Sequence, residues 1–369
     1  MQSATILSEQ SGNLAEMHSK MIATVFQRND SMPTAVNRQI MLVEKPAGKL
    51  TLQNFRMAEA AIPKPKVGEV LVRVLYISLD AANRAWMQGV TYREAVDQNA
   101  VMAGGTIAEV VESKVPGFFA GDLVLGDAGW QDFAVVNAEG LVKLPRAEPI
   151  THYLSVYGIA GLTAYFGLLN VGKPKPGDTV VVSAAAGSVG AFAGQIAKLK
   201  GCRVIGIAGS REKCNWLLSE LGFDTAINYK EEPLFKSLKV AAPNGINVYF
   251  DNVGGDIFEA CLPQMSKYGR IVCCGAVSAY DGVPPTTGPR GVPGLIVIKR
   301  LTVQGFIFTD FIAEREAALA ELRSWVNAGK LRVREEIING LENTPDGLIG
   351  LLAGENRGKR LIKVSIPKA

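Results

Sequence analysis

The spacing of small residues near the middle of the chain suits the binding of a phosphate group. A short turn has the form Ala184-x-x-Gly187-x-x-Gly190. Gly187 would let the backbone approach a pyrophosphate, and Gly190 would let a following helix pack closely on the preceding strand. The N-terminus of that helix would supply unpaired N–H groups and a positive dipole end. The spacing therefore predicts a dinucleotide-binding turn. The predicted contacts are Ala186, Gly187, Val189 and Gly190.

Regular elements on both sides of the turn must hold it in place. Residues 179–182 are β-branched and apolar, as in a strand that is buried on both faces. From Val189, apolar residues recur at offsets of three, four, seven and eight, which is one face of a helix ending at Gly201. Residues 203–207 give the next strand. The alternatives are a glycine turn without a ligand and a membrane helix over residues 180–197, which the β-branched half disfavours.

The end of the second strand indicates which dinucleotide binds. NAD-binding units carry an acid there, about 20 residues beyond the turn, that binds the ribose hydroxyls. This chain has Ser210, Arg211 and Lys213 at that place and no carboxylate between residues 203 and 211. Because a hydroxyl and cations suit a 2′-phosphate, we expect NADPH rather than NADH. The alternative is that Arg211 and Lys213 only solvate the start of a helix, whose dipole opposes them.

Composition limits the class of protein. The chain has 369 residues, of which 48% are hydrophobic and 20% charged, and this is ordinary for a globular protein of two domains. A net charge of +4 is too small to predict nucleic acid or a membrane as the main partner. The five cysteines lie between residues 202 and 274 without a C-x-x-C motif, which predicts a reducing, cytoplasmic location.

The side chains that hold catalytic zinc are missing from the first part of the chain. A site of the alcohol-dehydrogenase kind needs Cys and His ligands, and a structural site needs a cluster of four cysteines. Between residues 19 and 151 there is neither a Cys nor a His. We therefore expect no metal site, and a zinc alcohol dehydrogenase ranks last among the functions considered.

The pattern of strands and helices divides the chain into three parts. Residues 1–36 are polar and weakly patterned, which predicts a flexible extension. Residues 37–145 are rich in short strands, and residues 157–330 alternate strands with helices. That alternation predicts an α/β protein with a doubly wound parallel sheet beside a β domain. The predicted strands of the sheet are 179–183, 203–208, 226–229, 247–251, 270–275 and 302–306.

Ordered motifs in the chain resemble a known family. They are SAAAGSVGAFAGQIAKLKGCRVIGIAGSREK from residue 183, INYK at 227–230, DNVGG at 251–255, GRIVCCGAVSAYD at 269–281, VQGFIFTDF at 303–311 and ENRGK at 355–359. Together they resemble the zinc-independent medium-chain dehydrogenases/reductases, in particular the NADPH-dependent double-bond reductases that include prostaglandin, curcumin and 2-alkenal reductases. The resemblance runs from about Asn37 to the C-terminus.

This resemblance implies a layout and an activity. It implies a GroES-like substrate domain of residues 37–156 and 335–369, a Rossmann domain of residues 157–334, and a homodimer joined through the Rossmann sheets. The activity implied is NADPH-dependent reduction of the carbon–carbon double bond of an α,β-unsaturated ketone or aldehyde.

The resemblance also implies cofactor contacts at particular residues. Lys213 and Tyr229 would hold the 2′-phosphate end, and Asn356 would reach the cofactor from the returning C-terminal segment. Tyr229 could instead pack on a strand end, and the two phenylalanines of QGFIF could be core aromatics. The nicotinamide half would be lined by Asn252, Val253, Cys274, Gly275, Ala276, Phe306 and Phe308.

Tyr280 is the residue predicted to take part in chemistry. It follows a predicted strand end, at the edge of the sheet where ligands of such folds bind. Hydride addition to the β-carbon of an enone places negative charge on the carbonyl oxygen, which a phenol can stabilise together with the cofactor ribose. The alternative is a loop tyrosine with a satisfied hydroxyl. Tyr92 is predicted to contact the substrate, and Trp86, Met87 and Trp130 to form apolar walls of its pocket.

Two other functions stay open at this point. A zinc-free quinone oxidoreductase would use the same cofactor, and the fold could also serve in a cofactor-binding protein without turnover. The presence of Lys213, Tyr229 and Tyr280 favours an enzyme. The sequence does not identify the physiological substrate or the face of hydride transfer.

Overall fold

The computed structural model describes residues 36–89, 91, 93–146, 149–281 and 288–366. The strands are β1 (Val36–Leu42), β2 (Phe55–Ala61), β3 (Glu69–Leu79), β4 (Ala100–Val101), β5 (Thr106–Ser113), β6 (Leu123–Gly126), β7 (Phe133–Asn137), β8 (Val142–Leu144), β9 (Thr179–Val182), β10 (Arg203–Ala208), β11 (Thr225–Asn228), β12 (Ile246–Asp251), β13 (Met265–Cys273), β14 (Thr302–Gly305), β15 (Glu335–Asn339) and β16 (Lys359–Lys363). The helices are α1 (Ala82–Ala85), α2 (Ile159–Phe166), α3 (Ser188–Leu199), α4 (Arg211–Ser219), α5 (Leu234–Ala241), α6 (Gly255–Cys261), α7 (Val292–Lys299), α8 (Arg315–Asn327) and α9 (Thr344–Leu352).

Two of the sequence predictions concern residues that the structure does not describe. The extension predicted over residues 1–36 lies outside the described residues except for Val36, which begins β1. Tyr92 also lies outside them.

A parallel sheet of six strands carries the predicted glycine turn. Its order is β11-β10-β9-β12-β13-β14, and every neighbouring pair is parallel. Val180, Val181 and Val182 of β9 are buried because helices cover both faces of the sheet. The order reverses between β9 and β12, so a crevice opens there at the carboxyl ends of the strands. The predicted doubly wound fold is confirmed.

The stretch that could have been a membrane helix is divided in the structure. β9, a turn and α3 occupy residues 180–197, as the β-branched residues and glycines favoured. Within the described parts of the chain, no helix has both the length and the apolar character that crossing a bilayer requires.

A mixed sheet forms the β domain and draws strands from both ends of the described chain. Its order is β15-β16-β3-β5-β6-β8. β7 pairs with the first half of β3, and β16 pairs antiparallel with the second half on the same edge. A smaller sheet of order β2-β1-β4 packs in the same core. The predicted combination of a β domain with a Rossmann sheet is confirmed, whereas the exact domain bounds stay a prediction.

The returning C-terminal segment lies on the glycine turn. Gly187 and Gly358 form an isolated parallel bridge, and the Gly358 N–H donates to the Ala186 carbonyl oxygen at 2.9 Å. The loop before β16 is therefore held beside the turn and at the edge of the crevice.

Candidate active site

The glycine turn begins α3 with little room for side chains. A Cβ atom on Gly190 would lie 2.4 Å from the Ala184 carbonyl oxygen, so only glycine allows the helix to start this close to the turn. The Ser188 Oγ atom, at the first position of α3, is buried and has no hydrogen-bond partner among the described residues. The first N–H groups of a helix also have no partner within the helix. A hydroxyl and amides without partners at one helix N-terminus fit a pyrophosphate. Sequence reasoning missed Ser188, although it directly follows Gly187.

The predicted 2′-phosphate residues come together at the carboxyl ends of β10 and β11. Ser210 caps α4, since its Oγ accepts the Lys213 N–H at 3.3 Å. Beside it, the Tyr229 and Lys230 side chains lie over Gly209, whose Cβ would be 3.1 Å from Tyr229 Cε1 and 3.3 Å from Lys230 Cε. Lys230 was missed, although it adjoins Tyr229 in INYK.

Cations surround the Lys213 amine. Its Nζ donates to the Gly354 carbonyl oxygen at 2.5 Å. Burial lowers the pKa of Lys213, and nearby Lys230, Arg360 and Arg357 lower it further against an opposing effect of Glu336. An added phosphate would relieve this repulsion, so the site fits an anion.

Arg211 differs from Lys213, because its exposed guanidinium faces Glu231 at 3.5 Å. Whether Arg211 binds a 2′-phosphate or only solvates the start of α4 stays a prediction.

Asn356 is buried in the returning segment. Its Nδ2 donates to the Gly358 carbonyl oxygen at 2.9 Å, which closes the loop before β16. Gly358 has a φ of +72°, and a Cβ there would lie 2.3 Å from the Arg334 carbonyl oxygen. Because Gly358 bonds to Ala186, its partner Asn356 lies near the glycine turn. A contact of Asn356 with a cofactor stays a prediction.

A buried network joins the ends of β9 and β12 beneath the crevice. Asp251 Oδ1 accepts from Ser183 Oγ at 3.0 Å and from the Tyr249 hydroxyl at 2.7 Å. The Val253 and Gly254 N–H groups donate to the same oxygen, each at 3.0 Å. Sequence reasoning missed the role of Asp251, because its bond to Ser183 joins residues that are 68 positions apart.

Asn252 is fixed by the same network. Its N–H donates to Ser183 Oγ at 2.9 Å, and its Nδ2 donates to the Ser183 carbonyl oxygen at 2.7 Å. These bonds hold the predicted nicotinamide-lining residue at the point where the strand order reverses. They form the floor of the crevice, and a contact of Asn252 with a cofactor stays a prediction.

The loop after β13 is attached to this floor. The N–H groups of Cys274 and Gly275 donate to the Asp251 carbonyl oxygen at 2.8 and 3.1 Å. Burial raises the pKa of the Cys274 thiol to about 12 and that of Cys273 to about 11, and Asp251 adds to both shifts. Both thiols are therefore neutral near pH 7.

The Tyr280 hydroxyl lies over the backbone of this loop. Its oxygen accepts the Ala276 N–H at 3.2 Å and lies 3.5 Å from the position that a Cβ on Gly275 would take. The side chain is half-buried. The structure thus brings Tyr280, Gly275 and Asn252 together, since the same Cβ position is 3.1 Å from the Asn252 carbonyl oxygen.

The two predicted phenylalanines pack partly in the core. Phe306 and Phe308 are half-buried against the cluster around the helices of the parallel sheet. Phe306 fills the space above Gly167, where a Cβ would lie 2.3 Å from its Cζ. The core contact is present, and a role in lining the cofactor stays a prediction.

The prediction that three large apolar side chains form walls of the substrate pocket is wrong. Trp86, Met87 and Trp130 are buried in the core of the β domain and present almost no surface to a ligand. Their large apolar side chains were compatible with a pocket wall, but they fill the interior of the β domain instead.

Comparison with known proteins agrees with this geometry. Residues 38–144 match the family described as "N-terminal domain of oxidoreductase", and residues 188–324 match "Zinc-binding dehydrogenase". In the part of the chain that the structure describes, no three His, Cys, Asp or Glu side chains group as a metal site.

Known relatives and a solved structure match this chain over most of its length. The NADPH-dependent curcumin reductase of Escherichia coli is 43% identical over 335 residues, which are 89% of this chain and 97% of that protein. Prostaglandin reductase 1 of Bos taurus is 43% identical over 322 residues, which are 86% and 95% of the two chains. The structure of CurA from Vibrio vulnificus in complex with NADPH matches with a TM-score of 0.86 and 42% identity, covering 89% of this chain and 100% of that one. The chain therefore belongs to the medium-chain dehydrogenase/reductase family and is an NADPH-dependent oxidoreductase of the branch that contains the curcumin, prostaglandin and 2-alkenal reductases.

Proposed function

We propose that this oxidoreductase reduces the carbon–carbon double bond of α,β-unsaturated ketones and aldehydes, with Tyr280 as the catalytic residue. The observation that carries the proposal is the hydrogen bond from the Ala276 N–H to the Tyr280 hydroxyl oxygen, at 3.2 Å. Because the oxygen acts as an acceptor inside the loop, its own proton is available for an acceptor outside it. The carbonyl oxygen of an enone is such an acceptor.

The reaction needs one hydride and one proton. NADPH, when bound, would supply the hydride for the β-carbon of the substrate. As the carbon–carbon double bond breaks, negative charge collects on the carbonyl oxygen, where the Tyr280 hydroxyl donates a hydrogen bond and stabilises the enolate. A proton that Tyr280 donates or relays then reaches the α-carbon and completes a saturated ketone or aldehyde. The Ala276 N–H stabilises charge on the phenol oxygen while the proton is away.

The cofactor is held by residues along the whole crevice. The α3 N-terminus with Ser188 binds the pyrophosphate, which its unpartnered hydroxyl supports. Lys213, Tyr229, Lys230 and the Ser210 cap bind the 2′-phosphate, which the depressed pKa of Lys213 among neighbouring cations supports.

Product analysis tests the proposed reaction. Purified protein is supplied with NADPH and, separately, with 3-buten-2-one, trans-2-hexenal and a benzoquinone. We expect saturated ketone and aldehyde, and slower oxidation of NADPH with the quinone. A preference for the quinone, or an allylic alcohol as product, would contradict the proposal.

The Tyr280→Phe variant tests the catalytic residue. Losing the hydroxyl should lower kcat for the enone roughly 100-fold, as removal of an oxyanion donor does. The matched control is Tyr268→Phe, since that tyrosine is exposed near the start of β13, whereas Tyr280 follows the end of this strand. NADPH affinity should stay unchanged in both variants. An unchanged kcat in Tyr280→Phe would remove Tyr280 from the mechanism.

We also propose a homodimer that forms through β14. All four residues of β14 are exposed, and the strand pairs only with β13 among the described residues. The neighbouring α7 exposes Val297 and Ile298 at 72% and 65%. An open strand edge beside apolar side chains suits pairing with a second copy. Light scattering should give twice the chain mass, and Val303→Lys should shift it toward the monomer; a monomeric wild-type protein would contradict this.

A cytoplasmic location is the last part of the proposal. All five cysteines are free thiols, as expected in a reducing compartment. Fractionation of cells that express a tagged chain should recover it in the cytosol, and recovery from an oxidising compartment would contradict the assignment.

A further inference from the structure

We infer that Asp281 is a positioning residue that holds Tyr280 in place through an ion pair with Arg84 of the β domain. The inference rests on the proposed catalytic role of Tyr280. It extends that role to a pair of residues whose contact joins the two parts of the protein across the crevice. Arg84 Nε donates to Asp281 Oδ1 at 3.2 Å, and the two residues are 197 positions apart in sequence.

One side of the Tyr280 loop is attached to the parallel sheet. The Val277 N–H donates to the Asn252 carbonyl oxygen at 3.2 Å. Ser278 contributes two more bonds to the Val253 carbonyl oxygen, from its N–H at 3.1 Å and from its Oγ at 2.6 Å. These bonds fix the loop as far as Ser278.

After Ser278, hydrogen bonds from the β domain hold the loop. Among the described residues, the Tyr280 N–H donates within its own turn, to the Val277 carbonyl oxygen at 3.1 Å. Asp281 then receives two bonds from the β domain at a single oxygen. The Leu50 N–H donates to Oδ1 at 2.6 Å, beside the bond from Arg84. Tyr280 therefore lies between an anchor on each side of the crevice.

Arg84 offers a fixed partner because the β domain encloses it. Its side chain is 0% exposed, and its Nη2 donates to the Gly48 carbonyl oxygen at 2.7 Å. The preceding Asn83 locks α1, with Oδ1 accepting the Asp80 N–H at 2.8 Å and Nδ2 donating to the Ala103 carbonyl oxygen at 3.2 Å. Since α1 is rigid, the guanidinium determines where Asp281 lies.

The buried charge of Arg84 favours one position of the Tyr280 loop. A buried guanidinium without a carboxylate is costly, so Arg84 favours the loop position in which Asp281 reaches it. The residue next to Asp281 carries the phenol, and a displacement of about 1 Å of a catalytic group lowers a rate about 100-fold. Loss of the carboxylate should therefore affect turnover through Tyr280 and leave the cofactor site intact.

A double-mutant cycle tests the inference. Asp281→Ala, Tyr280→Phe and the double variant are compared for kcat with 3-buten-2-one and for NADPH affinity. We expect Asp281→Ala to lower kcat roughly 10- to 100-fold when Tyr280 is present. In the Tyr280→Phe background the same change should cost less than about twofold, because residues that act as one unit are non-additive.

Matched variants separate positioning from a general structural effect. Asp281→Asn keeps an acceptor for Leu50 and Arg84 without the charge, so its kcat should lie between those of wild type and Asp281→Ala. The control is Asp224→Ala at the opposite end of the sheet. Asp224 likewise accepts one backbone N–H, from Val204 at 2.7 Å, and one cation, Lys198 at 2.8 Å. That control should keep its kcat, and every variant should keep its NADPH affinity.

The outcomes separate the two proposals. If Tyr280→Phe is slow and Asp281→Ala has normal kcat, the positioning role is wrong and the proposed function stands. If the Asp281→Ala penalty is equally large in the Tyr280→Phe background, Asp281 acts independently of Tyr280 and the inference is overturned. If Tyr280→Phe has normal kcat, the proposed function fails and the inference fails with it.

Discussion

Gly358 donates its backbone N–H to the Ala186 carbonyl oxygen at 2.9 Å, so a residue near the C-terminus supports the turn predicted to bind the cofactor pyrophosphate. The contact connects the residue before β16 of the mixed sheet with the turn between β9 of the parallel sheet and α3. The shape of the glycine turn thus depends on residues from two sheets.

Gly358→Ala should weaken NADPH binding and lower stability. The backbone φ of +72° disfavours a side chain, and the added Cβ would lie 2.3 Å from the Arg334 carbonyl oxygen. Overpacking of this kind costs about 1–3 kcal/mol. Thermal unfolding and NADPH titration measure the two effects. The control is Gly140→Ala, because a Cβ on Gly140 meets nothing within 4 Å. Equal behaviour of the two variants would show that the support is unimportant.

Ser188→Ala should weaken NADPH and NADH binding by the same factor. Its Oγ is buried at the start of α3 without a partner in the described part of the chain, and both dinucleotides carry the pyrophosphate that we propose binds there. A hydrogen bond to a charged group contributes about 1.5–3 kcal/mol, so a loss of roughly 10- to 100-fold in affinity is expected. Fluorescence titration with each cofactor checks this. A loss confined to NADPH would place Ser188 at the 2′-phosphate instead.

Lys213→Ala should weaken NADPH binding and leave NADH binding unchanged. Only NADPH carries the 2′-phosphate, and a charged hydrogen bond to it contributes about 1.5–3 kcal/mol. Titration with the two cofactors measures the difference. Lys236→Ala, in an exposed position on α5, should change neither affinity. An equal loss for both cofactors in Lys213→Ala would contradict the assignment.

The preference for NADPH over NADH should decline at alkaline pH. Burial lowers the pKa of Lys213, and the neighbouring cations lower it further. The protonated amine binds the phosphate, so affinity for NADPH falls as pH rises through this lowered pKa, whereas affinity for NADH does not. Titrations from neutral pH to about pH 10, near the ordinary lysine pKa, measure this ratio. Lys213→Ala should show no such decline, and a decline of equal size in that variant would assign the effect to another group.

Lys359→Ala should destabilise the β domain by about 3 kcal/mol, because one partner of a buried ion pair is removed. Lys359 is 1% exposed, and its Nζ donates to the Leu79 carbonyl oxygen at 2.8 Å and to Asp80 Oδ1. Denaturant unfolding measures the change. Lys198→Ala, which breaks a solvent-exposed pair with Asp224, should cost less than about 1 kcal/mol. Similar losses in both variants would contradict the argument from burial.

Local patterns in the sequence were sufficient to predict much of the parallel sheet. β10 spans Arg203–Ala208 as predicted, because a strand buried on both faces is a short continuous apolar run. β13 begins at Met265 and not at the predicted residue 270, since its first half carries exposed polar residues and Tyr268 has a φ of +62°. An irregular, exposed strand start leaves no clear pattern.

The candidate site was predictable only where its residues follow one another in sequence. Ser188 and Lys230 adjoin predicted residues and could have been found from the motif itself. Arg84 could not, because its partner Asp281 is 197 residues away and a buried arginine looks like a surface residue in the sequence. The prediction for Trp130 was wrong because the neighbouring sequence of a core tryptophan does not differ from that of a tryptophan in a pocket.

The position of β16 has a consequence for synthesis on the ribosome. β16 covers one edge of β3, and Lys359 bonds to Leu79 across a separation of 280 residues. At 5–20 residues per second, that part of the β3 edge waits roughly 15–60 s for its partner. The cofactor turn waits less long, roughly 9–35 s, because Gly358 follows Ala186 by 172 residues. Nascent chains therefore cannot assemble this site before residues 358–363 have been synthesised, and a chain that lacks these residues exposes an unpaired strand that chaperones and proteases can recognise.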